Sequence, residues 1–227
     1  SRGPVATDRK YESTSLTLEW DVGDISVKSI TAQQDFDNYF YMSADATSIG
    51  LFQRRADQKT ETFTQEITVS GTSGDVEWVA GAYYMDDERA NFAFFDFPIP
   101  ALFPLPVPIQ LDFKEPYYDT ESRSAFLDFT WAVSDRVRLG AGMRRTEEEK
   151  REGHSFTILA QFPDGPVPIA EVCGPGLFEQ EFDESENTTR ASVEYDLNDT
   201  SMAYVSYSEG FKVGGVNGSD CNPPWNP

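Results

Sequence analysis

The sequence predicts an all-β protein, a transmembrane antiparallel up-and-down β-barrel present as a fragment of about eight strands (four hairpins) of a larger barrel. Three observations predict this fold. Apolar and polar residues alternate with a period of two in one segment after another, as in strands with two different faces. Short turns alternate along the chain with long connections, and an aromatic side chain stands close to each short turn.

The amino-acid composition excludes some classes of protein. Asp and Glu number 39 against 18 Lys and Arg, whereas a nucleic-acid-binding protein needs cations to neutralise phosphates, so no nucleic-acid partner is expected. No apolar run approaches the length of a membrane-spanning helix, and the N-terminus lacks the apolar core of a signal peptide. From the way the sequence begins and ends, we expect a piece of a longer protein, with residues 1–227 forming one barrel section.

The first predicted hairpin joins residues 11–20 to residues 25–36 through a tight turn at residues 21–24. In its first strand Leu16, Leu18 and Trp20 share one face, while polar side chains occupy the other. A long polar connection is predicted over residues 37–59.

The second predicted hairpin joins residues 60–70 to residues 76–85, and its first strand alternates cleanly. The facing of residues 76–85 stays open, because Trp78, Ala80, Ala82 and Tyr84 fit one side while Val79 and Tyr83 fit the other side almost as well. A second long connection is predicted over residues 86–119. Its proline-rich middle predicts extended or polyproline-like chain and no strand, since proline cannot donate to a ladder.

The third predicted hairpin joins residues 120–131 to residues 136–144, and Phe126 breaks the alternation of its first strand. A third long connection is predicted over residues 146–186. It begins with the charge run TEEEKRE, for which we expect a solvated tip.

The fourth predicted hairpin joins residues 188–195 to residues 201–208 across a turn at residues 196–200. Its apolar face carries Ala191, Val193, Tyr195, Ala203, Val205 and Tyr207. A glycine-rich segment follows.

The arrangement of connections and aromatic residues favours a membrane over water. Outer-membrane barrels have short turns at one end and long loops at the other. The aromatic residues beside the short turns are Trp20, Trp78, Trp131 and Tyr195, and a second set stands at the opposite predicted strand ends: Phe36, Tyr83, Tyr84, Tyr117, Tyr118 and Tyr207. We expect these to form two girdles, with the apolar face toward lipid and the polar face toward a lumen.

The segment YVSYSEGFKVGG, residues 204–215, resembles the barrel of TonB-dependent outer-membrane receptors. The phrases TLEWDVGDISVKSIT, TQEITVSG and VEWVAGAYY extend the resemblance over about residues 11–215. It implies a barrel of about 22 strands with a plugged lumen, lying in the outer membrane of a Gram-negative bacterium. It also implies active uptake of a ferric siderophore or a related bulky nutrient chelate, with the TonB complex acting through a plug domain and TonB box that these residues lack.

The sequence offers no spacing that predicts an enzyme, a metal site or a bound cofactor. His154, the one histidine, is expected to be a surface residue, because no partner residues surround it in the sequence. Cys173 and Cys221 lie in irregular stretches, and whether they pair in an oxidising compartment stays open.

The resemblance implies that loops and the lumen mouth contact the ligand. The candidate contacts are Tyr39, Tyr41, Tyr83 and Phe211, with Arg123 or Arg144 facing an anionic ligand. The alternative for each residue is packing within a girdle or a loop. Three further alternatives concern the whole chain: a passive porin-like barrel, a small closed barrel of eight strands, and a secreted soluble β-sandwich that acts as a binding module.

Overall fold

The computed structural model describes residues 5–43, 52–98 and 107–215, together with Cys221. Its strands are β1 (Val5–Val22), β2 (Ile25–Ser43), β3 (Gln53–Ser73), β4 (Val76–Phe97), β5 (Ile109–Ser134), β6 (Val137–Phe162), β7 (Gly165–Glu171), β8 (Phe178–Asn198) and β9 (Ser201–Ser208). They form one antiparallel sheet in the order β1-β2-β3-β4-β5-β6-β8-β9, with β7 paired to β6. In the described part of the chain, no helix is long and apolar enough to cross a membrane.

All four predicted hairpins are confirmed, each with a two-residue turn. Gly23 and Gly74 adopt positive φ angles of 63° and 61°, a conformation that glycine reaches without the steric cost of a side chain. The other two turns lie at residues 135–136 and 199–200. The short turns therefore stand at one end of the sheet, as the sequence predicted.

The predicted long connections are wrong in their extent, because the strands run much further. β2 continues to Ser43, β4 continues to Phe97, and the charge run expected as a solvated tip lies within β6. A strand that is polar on both faces shows no alternation of apolar and polar residues, so the sequence pattern does not reveal it. β7 forms a further hairpin inside the third predicted connection. Most of the proline-rich stretch, residues 99–106, lies outside the described residues.

The strand register shows which residues share a face. One row of partners crosses six strands: Trp20, Val27, Val69, Ala80, Leu127 and Met143. We call this side of the sheet the apolar face and the other side the polar face. The register puts Trp78 and Tyr84 on the apolar face, because each lies two positions from Ala80 or Ala82 along β4. This settles the facing that the sequence left open.

Apolar side chains on this face lie exposed at the surface of the protein. Trp20 is 69% exposed and Val205 is 75% exposed. In contrast, the buried apolar residues of the described part lie far from the short turns, on the polar face. They are Ala56, Ala93, Ile109 and Ala160. The sheet therefore has its small core at one end and an uncovered apolar surface near the other.

The aromatic residues beside the short turns all lie on the apolar face, as expected for a girdle. The second predicted girdle is wrong in part. Tyr84 and Tyr207 lie on the apolar face, but Phe36, Tyr83 and Tyr118 lie on the polar face. Strands β2, β4 and β5 also continue beyond Phe36, Tyr83 and Tyr118, so these three residues do not mark strand ends.

Candidate functional site

The polar face carries charged side chains that compensate one another. Arg138 donates from Nε to Glu194 (2.9 Å) and from Nη1 to Asp196 (2.8 Å). Arg190 of β8 also forms an ion pair with Asp128 of β5, across the intervening strand β6. A face of this kind presents paired charges and hydroxyl groups, which suits a water-filled lumen.

Two of the predicted ligand contacts lie together on the polar face. Tyr83 is the partner of Ser124, and Arg144 is the partner of Phe126, so they lie two strands apart and one row apart. Phe126 packs over Gly81 between them, where a Cβ atom on Gly81 would overlap the phenyl ring. The residue that broke the predicted alternation therefore has a polar-face position. Arg144 donates from Nε to Thr146 Oγ1 at 3.2 Å.

The other predicted contacts lie elsewhere. By strand alternation, Tyr39 and Tyr41 lie on the side that continues the apolar face, and the Tyr41 hydroxyl donates to Gln53 Oε1 at 3.0 Å. Arg123 also lies on that side, as the partner of Tyr84, and does not point toward the polar face. Phe211 follows β9 and is 37% exposed. Ligand contact by any of these residues stays a prediction.

A buried polar cluster corrects the expectation for His154. His154 and Glu152 are both fully buried, and His154 Nδ1 lies 2.8 Å from Glu152 Oε1. The imidazole lies between the rings of Phe113 and Phe178, with centroid distances of 6.1 and 5.4 Å. These rings come from β5 and β8, so nothing near His154 in the sequence indicated its burial.

Glu115 adds a second carboxyl group to this cluster. A bulge in β5 between Lys114 and Tyr117 lies opposite β6 at His154. Burial, together with the charge of Glu152 and a hydrogen bond to it, raises the pKa of Glu115 to about 7. The site lies far beyond the apolar part of the sheet and can hold a proton near neutral pH.

The segment after β9 crosses the polar face beside this cluster. Gly214 N donates to Glu184 Oε2 at 2.9 Å, and Lys150 Nζ donates to the Gly214 carbonyl at 3.0 Å. The structure joins Cys173 and Cys221 in a disulfide with a Cα–Cα distance of 5.4 Å. Cys173 Sγ lies 3.7 Å from His154 Nε2. The segment is therefore fastened next to the buried cluster.

An arginine among aromatic rings is a further group that the sequence analysis missed. The Arg54 guanidinium lies over Phe40 (5.8 Å to the centroid) and Phe95 (5.5 Å). Phe52 stacks on Phe95 and on Phe97, with centroids 5.8 and 4.9 Å apart. All five residues lie at the ends of β2, β3 and β4 that are away from the short turns. In the sequence, the spacing of the phenylalanines was the signal that could have indicated this group. Within the described ranges, no group of three or more His, Cys, Asp or Glu residues could hold a metal ion.

Residues 1–223 match the family model for the TonB dependent receptor-like β-barrel. None of the curated protein sequences matches the chain. Among solved structures, the chain is similar to the ferric yersiniabactin uptake receptor FyuA from Yersinia pestis, with a TM-score of 0.76 and 19% sequence identity. The match covers 95% of this chain and 30% of that receptor, and at this identity the likeness concerns the fold.

Proposed function

The chain belongs to the TonB-dependent receptor-like β-barrel family, and we propose that it is a barrel section of an outer-membrane receptor that actively takes up a ferric siderophore or a related bulky nutrient chelate. Receptors of this family lie in the outer membrane of Gram-negative bacteria. The chain spans 30% of the length of the solved receptor, so coupling to the TonB complex through a plug domain belongs to the proposal.

The observation that carries the proposal is the apolar stretch shared by adjacent strands. In β6 the outward positions Val137, Leu139, Ala141 and Met143 are uncharged, and Arg145 follows them. These four alternate positions span the seven residues 137–143, which in a tilted strand cover most of the ~25 Å apolar band of an outer-membrane barrel. The rest of each long strand extends beyond a membrane of this thickness.

The chemistry of the polar face supports a large anionic ligand. Tyr83 and Arg144 lie on this face near the end of the apolar stretch that is away from the short turns. Arg54 lies still further from the short turns, among its phenylalanines. Aromatic rings and guanidinium groups bind planar, anionic chelates through stacking and charge-assisted hydrogen bonds. Such ligands include the ferric complexes that the similar receptor is named for taking up.

The alternative folds fit the described strands poorly. A soluble β-sandwich requires two packed sheets, whereas all nine strands join in a single sheet. A closed eight-stranded barrel requires β1 to pair with β9, and the described residues of these strands do not pair. A passive porin-like channel differs from the proposed receptor in needing no energy for transport.

Uptake by whole cells tests the proposal. The full-length gene would be deleted from the source bacterium, and growth under iron limitation would be measured with ferric catecholate, phenolate and hydroxamate chelates as probes. We expect loss of ⁵⁵Fe uptake from at least one chelate, restored by the wild-type gene and abolished by a protonophore. Unchanged uptake of every chelate in the deletion strain would overturn the receptor proposal, and uptake that survives the protonophore would favour the passive channel.

Two variants connect uptake to the polar face. Arg144→Gln removes a polar-face cation, and we expect it to weaken ferric chelate binding by about tenfold, the effect of losing one charge-assisted contact. Arg151→Gln is the matched control, because Arg151 lies on the opposite side of the same strand. Equal uptake by both variants would remove Arg144 from the ligand site.

A further inference from the structure

We propose that a groove on the apolar face, bordered by Arg123 and Arg145, binds one phosphorylated membrane lipid. Its acyl chain would occupy the groove and its phosphate would contact the two guanidinium groups. This site is separate from nutrient uptake, but it rests on the proposed position of the apolar face in a membrane.

The groove crosses four adjacent strands, from β3 to β6, and has a volume of ≈ 450 Å³. Its floor is shallow because Ala82 and Ala125 are partners on β4 and β5 and carry only methyl groups. Ile67 is the partner of Ala82 on one side, and Tyr84 stands next along β4. Gln65 and Glu147 also line the groove, in the same row as Tyr84 and Arg123. The rest of the depression presents mainly aliphatic and aromatic carbon, which suits a hydrocarbon chain.

The two arginines lie where the groove meets the polar part of the strands. Arg145 is the partner of Ala125, and Arg123 is the partner of Tyr84 one row further from the short turns. Arg145 donates to Glu147 Oε1 (2.9 Å) and to Ser185 Oγ (3.3 Å), which holds its guanidinium across two strands. Arg123 pairs with Glu121. The side chain of Arg123 is 68% exposed, and that of Arg145 is 50% exposed.

The charges on either side of the arginines restrict an anionic head group to this level. Toward the short turns, the partner row of Ala80 and Leu127 is uncharged. Away from them, partners along one outward row are almost all acidic: Glu12, Asp35, Glu61, Glu88, Asp119 and Glu181, with Arg151 between the last two. A phosphate is repelled by that row and meets the guanidinium groups first when it approaches from the membrane. Guanidinium groups bind phosphate oxygens in a bidentate manner.

Native mass spectrometry of the purified full-length receptor tests the site. The receptor would be equilibrated in mild detergent with dioleoyl phosphatidic acid and dioleoyl phosphatidylcholine in equal amounts. We expect the wild type to retain one phosphatidic acid in preference to phosphatidylcholine, and the R123Q/R145Q variant to retain about tenfold less. No preference in the wild type, or wild-type retention by the variant, would overturn the proposal.

A second variant tests the groove without changing any charge. In A82L/A125L, larger side chains fill the floor while the surface stays apolar, so we expect reduced retention of phosphatidic acid and unchanged membrane insertion. Retention equal to the wild type would contradict the placement of the acyl chain. Arg151→Gln serves as the charge control and should retain the lipid. Ferric chelate uptake, measured on the same receptors, separates the two proposals. A wild type that takes up chelate but shows no preference for phosphatidic acid would overturn only the lipid site. A wild type that retains phosphatidic acid but takes up no chelate would overturn only the receptor function.

Discussion

Arg190 and Asp128 form an ion pair across a strand to which neither residue belongs. Arg190 lies in β8, Asp128 lies in β5, and Gly142 of β6 is the partner of both. A Cβ atom at Gly142 would overlap the Asp128 carboxylate. The absence of a side chain at this position lets two charges on second-neighbour strands meet on the polar face.

Gly142→Ala should destabilise the barrel by about 1–3 kcal/mol, because the added methyl group displaces the Asp128 carboxylate from Arg190 and crowds the strand. Urea unfolding of the full-length receptor in lipid vesicles, followed by tryptophan fluorescence, measures this. Gly210→Ala is the control, because no heavy atom lies within 4 Å of the Cβ position there. Equal midpoints for the two variants would contradict the role of Gly142.

Glu115 should make stability depend on pH around neutrality. Its pKa rises from 4.5 to about 7 in the folded chain, chiefly through burial, so the folded state binds the proton more tightly than the unfolded state does. This stabilisation is complete below the unfolded pKa and is lost as the pH rises through about 7. Burial raises the pKa of Asp119 as well, which adds an effect of the same sign.

We therefore expect the urea midpoint of the full-length receptor to fall between about pH 5 and about pH 8. Glu115→Gln keeps a neutral side chain at every pH and should flatten most of this dependence. A wild-type midpoint that rises across the same interval would show that the proton is not held in the folded state.

His154→Leu should cost about 3–5 kcal/mol, since it removes a hydrogen-bonding partner of a fully buried carboxyl group. The double variant E152L/H154L removes both polar groups and should be less destabilised than the single variant. Urea unfolding of the three receptors gives the comparison. If the double variant is the least stable, packing and not charge pairing decides the stability of this cluster.

The Cys173–Cys221 bond should stabilise the receptor against unfolding. It links residues 48 apart, and loop-closure entropy in the unfolded chain then corresponds to about 4 kcal/mol. We expect the C173S/C221S variant to unfold at lower urea concentration than the wild type, and dithiothreitol to shift the wild type but not the variant. Iodoacetamide labelling of both cysteines without reductant would show that the bond is not formed.

The sequence predicted the parts of the fold that a membrane imposes. Four turns and the apolar face were recognisable because lipid on one side and a polar surface on the other enforce alternation at residues such as Leu18 and Val193. The outer parts of the strands were missed for the same reason. Around Glu149 both sides of β6 are polar, so the period of two disappears although the strand continues.

The candidate site was less predictable, because its contacts join distant parts of the sequence. The facing of Tyr83 was ambiguous from alternation alone and required the register with β3 and β5. His154 had no sequence neighbour that indicated burial, since Phe113 and Phe178 reach it from two other strands. Arg123 was predicted to face an anionic ligand in the lumen, but its partner Tyr84 places it on the apolar face.

The order of the strands has a consequence for how such a chain assembles. Apart from β7, which pairs with β6 and not with β8, each of the described strands β1 to β8 pairs with its immediate successor, so most pairings close short stretches of chain at little entropic cost. The sheet can therefore grow by adding one hairpin at a time to an existing edge. The Cys173–Cys221 bond closes a loop that contains both β8 and β9, so it links the last strands of the sheet in a way that does not depend on strand pairing.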